Sequence, residues 1–114
     1  MAGGDLTVTE AELTDAVLEL ARELGLLVHH CKDSRTCIGH KGFADVVLAG
    51  PKGVIFRELK SEYGETSAYQ DRWGHRLCQS RIEGIAIALW DIWRPQDLES
   101  GRVRRELALI GETR

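Results

Sequence analysis

A chain of 114 residues, 43% of them hydrophobic, is long enough to bury one core and short enough to form a single domain, 1–114. No apolar run approaches the ~20 residues that a membrane span needs, and no signal peptide pattern is present. The odd number of cysteines, three, disfavours a disulfide framework and favours a reducing cytoplasm. The glycine-containing start, residues 1–6, is expected to be flexible.

The formal charge of −3 is distributed unevenly along the chain. Residues 1–25 carry six acidic side chains and one arginine, so the remainder carries a net charge of +2. The overall charge therefore neither supports nor excludes a polyanionic partner such as a nucleic acid.

The first predicted element is a helix from about Thr9 to Leu24, because apolar residues recur there at helical spacing and Gly25 is a natural stop. Thr9 with Glu12 fits a capping box, and so does Thr7 with Glu10. Glu12 therefore has two interpretations. It is either a helix cap or a metal-facing acid on the flank of the apolar stripe.

A short strand from Leu26 to His30 and a polar loop from Cys31 to Lys41 are predicted next. Five potential zinc ligands fall within twelve residues: His29, His30, Cys31, Cys37 and His40. The cysteines lack the paired spacing of a structural zinc site, so a solvated loop is favoured. In that loop Lys32, Arg35 and Lys41 could contact phosphates, although Asp33-Ser34-Arg35 also fits a plain turn.

A β-hairpin is predicted from Phe43 to Leu48 and from Val54 to Lys60, with the turn in residues 49–53. A turn near Pro51 and Lys52 places Asp45 opposite Glu58 or one step diagonal to it. Because side chains alternate, Lys60 shares the face of Glu58, and Leu59 points into the other layer. Two carboxylates and an ammonium are thus crowded among Phe43, Val47 and Phe56. Such violations of strand patterning usually fall at functional sites.

A second helix is predicted from about Ala68 to Ile82, capped by Ser67 with Gln70 at the capping-box position. Trp73 and Leu77 are expected on its buried side, and Arg72, Arg76 and Gln79 on its outward side. Gly84 is expected to end the helix. The continuously apolar Ile85–Trp90 predicts a strand buried on both faces and parallel to residues 54–60. Residues 96–110 are ambiguous between helix and strand, and a helical cover is favoured.

The crowded face of the hairpin indicates a divalent-metal site. Two carboxylates a few ångströms apart repel unless a cation or a proton lies between them. Mg²⁺ prefers oxygen ligands, which Asp45, Glu58 and the backbone carbonyl of Leu59 could supply. Lys60 would then orient water or stabilise charge at phosphorus during in-line attack on a phosphodiester. The alternative is a surface-facing hairpin whose charged cluster contributes little to stability.

Asp45, twelve intervening residues and Glu58-Leu59-Lys60 resemble the active-site signature of the PD-(D/E)XK nuclease superfamily. Within it the chain resembles the VRR-Nuc family, particularly its small stand-alone phage and bacterial members. The resemblance also covers Glu12, Asp33-Ser34-Arg35, Gly42 to Ala44, Ser61-Glu62, Gly64, Ser67 to Gln70, Trp93-Arg94-Pro95 and Asp97. Ala44 stands where the family usually has proline, which removes a backbone constraint but no ligand.

The resemblance implies an α/β fold with a mixed central sheet flanked by helices, a restriction-endonuclease-like core of order α-β-β-β-α-β. It implies a Mg²⁺- or Mn²⁺-dependent endonuclease acting on DNA in the cytoplasm of a bacterium or phage-infected host. The residues involved would be Asp45 and Glu58 on the metal, Lys60 in catalysis, and Glu12 and Gln70 in support.

Four-way junctions are the first choice of substrate, and a homodimer is the expected assembly. The expected DNA contacts are Lys32, Arg35, Lys41, Arg72 and Arg76. Two alternatives stay open, a non-catalytic DNA-binding or assembly module on the same fold and a flap or nicking nuclease. The presence of all three signature residues, Asp45, Glu58 and Lys60, favours an active enzyme.

Overall fold

The structure, a computed structural model, describes residues 8–30 and 39–111. The helices are α1 (Glu10–Glu23), α2 (Ala68–Gln79), α3 (Pro95–Glu99) and α4 (Arg102–Ile110). The strands are β1 (Leu27–His30), β2 (Val46–Gly50), β3 (Gly53–Leu59), β4 (Arg81–Ile82), β5 (Ile85–Ala86) and β6 (Leu89–Trp93). The expected flexible start, the Thr7 cap and most of the polar loop lie outside the described residues.

A four-stranded mixed sheet in the order β1-β2-β3-β6 forms the centre of the domain. β1, β2 and β3 are antiparallel neighbours, and β6 lies parallel to β3, as predicted. Helices flank the sheet, so the predicted mixed α/β architecture is confirmed. The predicted order α-β-β-β-α-β is present, with the β4–β5 hairpin inserted before β6 and two helices after it.

The hydrophobic core lies on one face of the sheet. Helix α1 begins at the predicted Thr9–Glu12 capping box and buries its apolar stripe, and α4 packs beside it with Val103, Leu107 and Ile110. The sheet contributes Val46 and Leu48 from β2 and Ile55 and Leu59 from β3. Full burial of each such side chain contributes about 1.5–3 kcal/mol, so this layer is the main source of stability.

Helix α2 covers the opposite face of the sheet. Its approach to β6 is close because Gly74 has no side chain: a Cβ there would lie 2.7 Å from the Trp90 ring. Trp73 packs edge-on against Phe43, with ring centroids 4.8 Å apart, and Phe43 in turn contacts Phe56 of β3. Trp73 and Leu77 are half-buried, and Arg72, Arg76 and Gln79 are exposed, as predicted.

Two predicted segments differ in the structure. Helix α2 ends at Gln79, and the predicted stop, Gly84 (φ 82°), instead forms a hairpin turn with Glu83 (φ 52°) between β4 and β5. The apolar run Ile85–Trp90 is therefore not one strand buried on both faces. It is divided between β5 and the edge strand β6, and Ile85 is 69% exposed. Positive φ at two successive residues is the geometry of a tight hairpin turn, and it competes with the continuous-strand interpretation.

The remaining boundaries differ by a few residues. Strand β2 begins at Val46 rather than Phe43, and Gly50 and Gly53 are paired, so the turn is Pro51-Lys52. Residues 96–110 are largely helical, as favoured: they form most of α3 and all of α4, with a turn at Ser100 and Gly101 between them. Among the described residues no helix is long and apolar enough to cross a membrane.

Candidate active site

The hairpin register brings Asp45 to Glu58. Val46 pairs with Arg57, so one further step along both strands places Asp45 beside Glu58, as the turn position predicted. Asp45 lies just before β2, and its Oδ2 accepts a hydrogen bond from the backbone N–H of Leu59 at 2.9 Å. A carboxylate that accepts from a backbone N–H makes a charge-assisted bond. This bond fixes the Asp45 carboxylate at the end of β3.

Glu58 is a buried carboxyl group, with 1% of the residue exposed. Its Oε2 accepts a hydrogen bond from the Gln70 side-chain amide at 2.6 Å, whereas its Oε1 is buried without a hydrogen-bond partner. Burial raises the pKa of Glu58 far above its ordinary value of 4.5, and the charge of Asp45 and a hydrogen bond with Asp45 raise it further. The group therefore retains a proton at neutral pH unless a cation replaces it.

Lys60 lies on the same face as Glu58, as side-chain alternation predicted. Its Nζ is 4.0 Å from Glu58 Oε2, its side chain is 16% exposed, and its charge opposes the rise in the pKa of Glu58. The backbone N–H of Lys60 donates to the Trp93 carbonyl at 3.1 Å, which fixes this residue beyond the end of β3. An ammonium group thus stands beside the carboxylate pair, with access to solvent.

Gln70 joins the start of α2 to the site. In the capping box its Oε1 accepts from the Ser67 backbone N–H at 2.8 Å, and its own backbone N–H donates to Ser67 Oγ at 3.1 Å. Since the carbonyl end of the amide is engaged in the cap, the NH₂ end is directed to Glu58. A local capping motif therefore also sets the orientation of the buried carboxyl group, and a supporting role of Gln70 in catalysis stays a prediction.

The segment that precedes Asp45 is held against the first turn of α2. Gly42 has φ 89°, and a Cβ there would lie 2.3 Å from the Tyr69 carbonyl carbon and 2.6 Å from the Gln70 backbone nitrogen. The Trp73 indole N–H donates to the His40 carbonyl at 3.4 Å. Only glycine fits such an approach. Sequence reasoning did not assign Gly42 this role, although its place three residues before the aspartate was a signal.

The loop that follows Lys60 is fixed by Arg94. One guanidinium nitrogen, Nη1, donates to the carbonyls of Ser61 at 2.8 Å, Glu62 at 3.3 Å and Gly64 at 2.7 Å. Glu62 in turn accepts from the backbone N–H of Gln96 at 3.0 Å. Arg94 therefore orders the rim of the site next to Lys60, a structural role that the sequence pattern did not specify.

The two acids in the first turn of α1, Glu10 and Glu12, have different surroundings. Glu12 completes the capping box with Thr9, and hydrogen bonds from Thr9 lower its pKa. The cap interpretation is therefore confirmed, and a metal role for Glu12 stays a prediction. The charge of Glu10 is among the influences that raise the pKa of Glu58. Glu10 was missed in the sequence, where it was considered only as a partner of Thr7.

Three of the five predicted DNA contacts are described. The Lys41 Nζ lies 5.8 Å from the centre of the Tyr69 ring, close to the start of α2, and Arg72 and Arg76 are exposed on α2. Lys32 and Arg35 lie outside the described residues, as do Cys31 and Cys37 of the zinc alternative. His29 and His30 belong to β1, paired with Val47 and Val46.

The side chains of this site fit a hard divalent cation. Within residues 8–30 and 39–111 no cluster of three or more His, Cys, Asp or Glu side chains is arranged to hold a metal. Mg²⁺, however, usually takes one or two carboxylates and retains several waters. Asp45 and Glu58, with the Leu59 carbonyl, could supply that set, because no donor group reaches Glu58 Oε1 and a cation could replace the proton between the two carboxyl groups. No protein family, curated protein or solved structure matches the chain.

Proposed function

We propose that this protein is a divalent-metal-dependent endonuclease that hydrolyses phosphodiester bonds in DNA. One observation carries the proposal, the buried Glu58 beside Asp45, whose Oε1 is reached by no donor group and whose Oε2 lies 4.0 Å from the Lys60 ammonium. A carboxyl pair of this kind needs a proton or a cation. An adjacent ammonium that reaches solvent is suited to an anionic substrate.

Asp45, Glu58 and the Leu59 carbonyl would hold Mg²⁺ or Mn²⁺. When bound, the ion would supply Lewis-acid stabilisation of the phosphate and a water of lowered pKa. Glu58 would release its proton as the cation binds, and Gln70 would keep the carboxylate in a fixed orientation. Lys60 would donate hydrogen bonds to the attacking water or to the phosphate oxygens, which places its positive charge where negative charge develops.

The proposal also includes a type of fold and a class of DNA substrate. The element order around the sheet supports a restriction-endonuclease-like core, and the exposed Lys41, Arg72 and Arg76 could contact the DNA backbone. Branched DNA, with four-way junctions first, is the proposed substrate, and flap or nicked duplexes are the alternative. A symmetric cut at a junction needs two sites related by a two-fold axis, so a homodimer belongs to the same proposal.

The test is cleavage of labelled four-way junctions, flaps, duplex and single strands, each with Mg²⁺, Mn²⁺ and EDTA. Asp45→Asn is the diagnostic variant. Asp15→Asn, an exposed acid on α1, is the matched control. The proposal requires metal-dependent cleavage by the wild type and the control but not by Asp45→Asn. DNA binding without any cleavage would instead favour a non-catalytic module on this fold.

A further inference from the structure

A turn next to the candidate site carries an exposed tyrosine. Tyr63 is 93% exposed, more than any other large apolar side chain in the described residues, and it follows Lys60 by three residues. The turn is closed by the backbone N–H of Gly64, which donates to the Ser61 carbonyl at 3.3 Å. Arg94 Nη1 also donates to three carbonyl groups of this turn. The exposed ring is therefore attached to a backbone that hydrogen bonds hold in place.

Tyr63 lines an open hollow that adjoins Lys60. The hollow has a volume of about 460 Å³, which is within the range of sites that bind small molecules. A Cβ added to Gly64, which also lines the hollow, would lie 3.8 Å from Lys60 Cδ. The rest of the lining comes from Glu62, Glu65, Thr66 and Arg94. A planar group of the size of a nucleobase therefore has room beside the stem of Lys60.

The charges around the hollow disfavour a phosphate group as its occupant. Two carboxylates, Glu62 and Glu65, line it, against the single guanidinium of Arg94. Glu62 Oε1 already accepts from the backbone N–H of Gln96 at 3.0 Å. Glu65 is exposed, and a carboxylate can accept hydrogen bonds from the amino group of a base such as cytosine. The hollow thus suits an uncharged aromatic group with N–H donors, and a phosphate is better placed at Lys60.

We propose that Tyr63 stacks on an unpaired nucleobase of the DNA substrate, next to the phosphate that Lys60 contacts. Every base has an aromatic face, so stacking on a protein ring is tolerant of sequence. Inside a continuous duplex the neighbouring base pairs cover both faces of a base, whereas an unpaired base exposes a face. The inference rests on the proposed DNA cleavage, and it narrows the substrate class to DNA with an unpaired nucleotide beside the cleaved bond.

A second exposed aromatic ring near the site, that of Tyr69, is less suited to this role. Tyr69 is 55% exposed and precedes Gln70 in the first turn of α2. The Lys41 Nζ lies 5.8 Å from the centre of its ring, and a cation over the ring takes the surface that a base would need. Within the part of the chain that the structure describes, the Tyr63 ring has neither a cation nor another ring against it.

The test is a binding cycle that removes the ring and the base separately. The full chain binds a duplex with a short single-stranded arm, in EDTA, and each arm nucleotide in turn is replaced by an abasic one. Fluorescence anisotropy gives the Kd. We expect one abasic position to weaken binding of the wild type about tenfold. Tyr63→Leu should lose the same factor on the intact arm and nothing further on the abasic arm. Tyr63→Phe, which keeps an aromatic ring, should match the wild type.

Tyr69→Leu is the matched control, because any loss of affinity it causes should be the same on the intact and the abasic arm. Independent losses from Tyr63→Leu and the abasic position, or a wild type that is insensitive to every abasic position, would overturn the proposal.

Cleavage of the same DNA with Mn²⁺ is measured separately. Cleavage without this coupling would refute the base contact and leave the nuclease standing. Coupled binding without cleavage would refute the nuclease and leave the base contact standing, and a wild type that binds no DNA would refute both.

Discussion

Arg57 and Glu58 are adjacent on β3, and both are almost fully buried, 6% and 1% exposed, on opposite faces of the sheet. The Arg57 guanidinium pairs with Glu106 at 3.0 Å, donates to the Leu89 carbonyl at 2.8 Å and lies over the Trp93 ring. Glu58 has a weak cation contact, a hydrogen bond from the Gln70 amide and, when protonated, a hydrogen bond with the Asp45 carboxylate, and no donor group reaches its Oε1. One buried charge is compensated within the chain, and the other is not.

The pKa values of Glu106 and Glu58 shift in opposite directions because of this difference. Burial raises the pKa of Glu106, but hydrogen bonds from Arg102, Trp93 and Arg57 outweigh it, so the pKa is lowered. For Glu58, burial and the charge of Asp45 act in the same direction, and the pKa is raised. The charge of Arg57 is thus balanced by Glu106, although its Nε is buried without a hydrogen-bond partner, whereas the charge of Glu58 is balanced by a proton or by an external cation.

The largest expected effect is a loss of DNA cleavage when the Glu58 face of the sheet is changed. Asp45→Asn should abolish cleavage while leaving the apo melting temperature unchanged or raised, because asparagine can still accept from Leu59 N–H and one repelling charge is lost. Millimolar Mn²⁺ should stabilise the wild type by about 2.7 kcal/mol if the ion is at 100 times its Kd, and the variant much less. Equal metal shifts in both proteins would remove Asp45 from the site.

The second effect is on the free energy of unfolding, and it follows from a change on the Arg57 face of the sheet. Arg57→Met should destabilise the chain by about 3 kcal/mol, the lower end for breaking a buried pair, since Glu106 keeps its bonds to Arg102 and Trp93. Arg104→Met is the control, because Arg104 makes an exposed pair with Glu23 at 3.9 Å, worth about 0–1 kcal/mol. Urea unfolding measures both. A loss of Mn²⁺ response in a folded Arg57→Met would contradict the separation of the faces.

A third effect follows from the titration of Glu58. The folded chain holds this proton more tightly than the unfolded chain, so apo stability should fall as pH rises above about 4.5 toward the raised folded pKa. Glu58→Gln should lose this contribution and exceed the wild type in apo stability at pH 8. The metal-induced stabilisation of the wild type should grow with pH, because the cation displaces the proton. Melting curves at pH 5 and pH 8, with EDTA and with Mn²⁺, measure both trends, and parallel curves for the two proteins would refute the assignment.

The smallest effects divide the acids of α1. Glu12→Gln preserves a side chain that can close the capping box, so its melting temperature should stay near that of the wild type. Glu10→Gln should lower the pKa of Glu58 and reduce the fall in apo stability between pH 5 and pH 8. Because a lower pKa eases the release of the Glu58 proton, we expect Glu10→Gln to keep its cleavage activity, whereas Glu12→Gln should lose about tenfold if Glu12 faces the metal. Full activity of Glu12→Gln would leave Glu12 with the helix cap alone.

Local patterns in the sequence were enough to predict both capping boxes, Thr9–Glu12 and Ser67–Gln70, and the hairpin register that brings Asp45 to Glu58. These features depend on residues three apart or on a turn of known type, so their physical cause lies within a few residues. The same locality explains the error after Gln79, where a turn with positive φ interrupted an apolar run that was interpreted as one strand.

Tertiary structure alone decided which buried charge has a partner. The alternation of side chains along β3 places Arg57 and Glu58 on opposite faces of the sheet. The charge of Arg57 is balanced by Glu106, which is 49 residues away in the chain. Glu58 instead accepts a hydrogen bond from Gln70, which is twelve residues away. The free Oε1 of Glu58 and the influence of Glu10 likewise arise only when helices cover the sheet. Sequence periodicity states which way a side chain points, whereas burial and charge compensation depend on what packs against it.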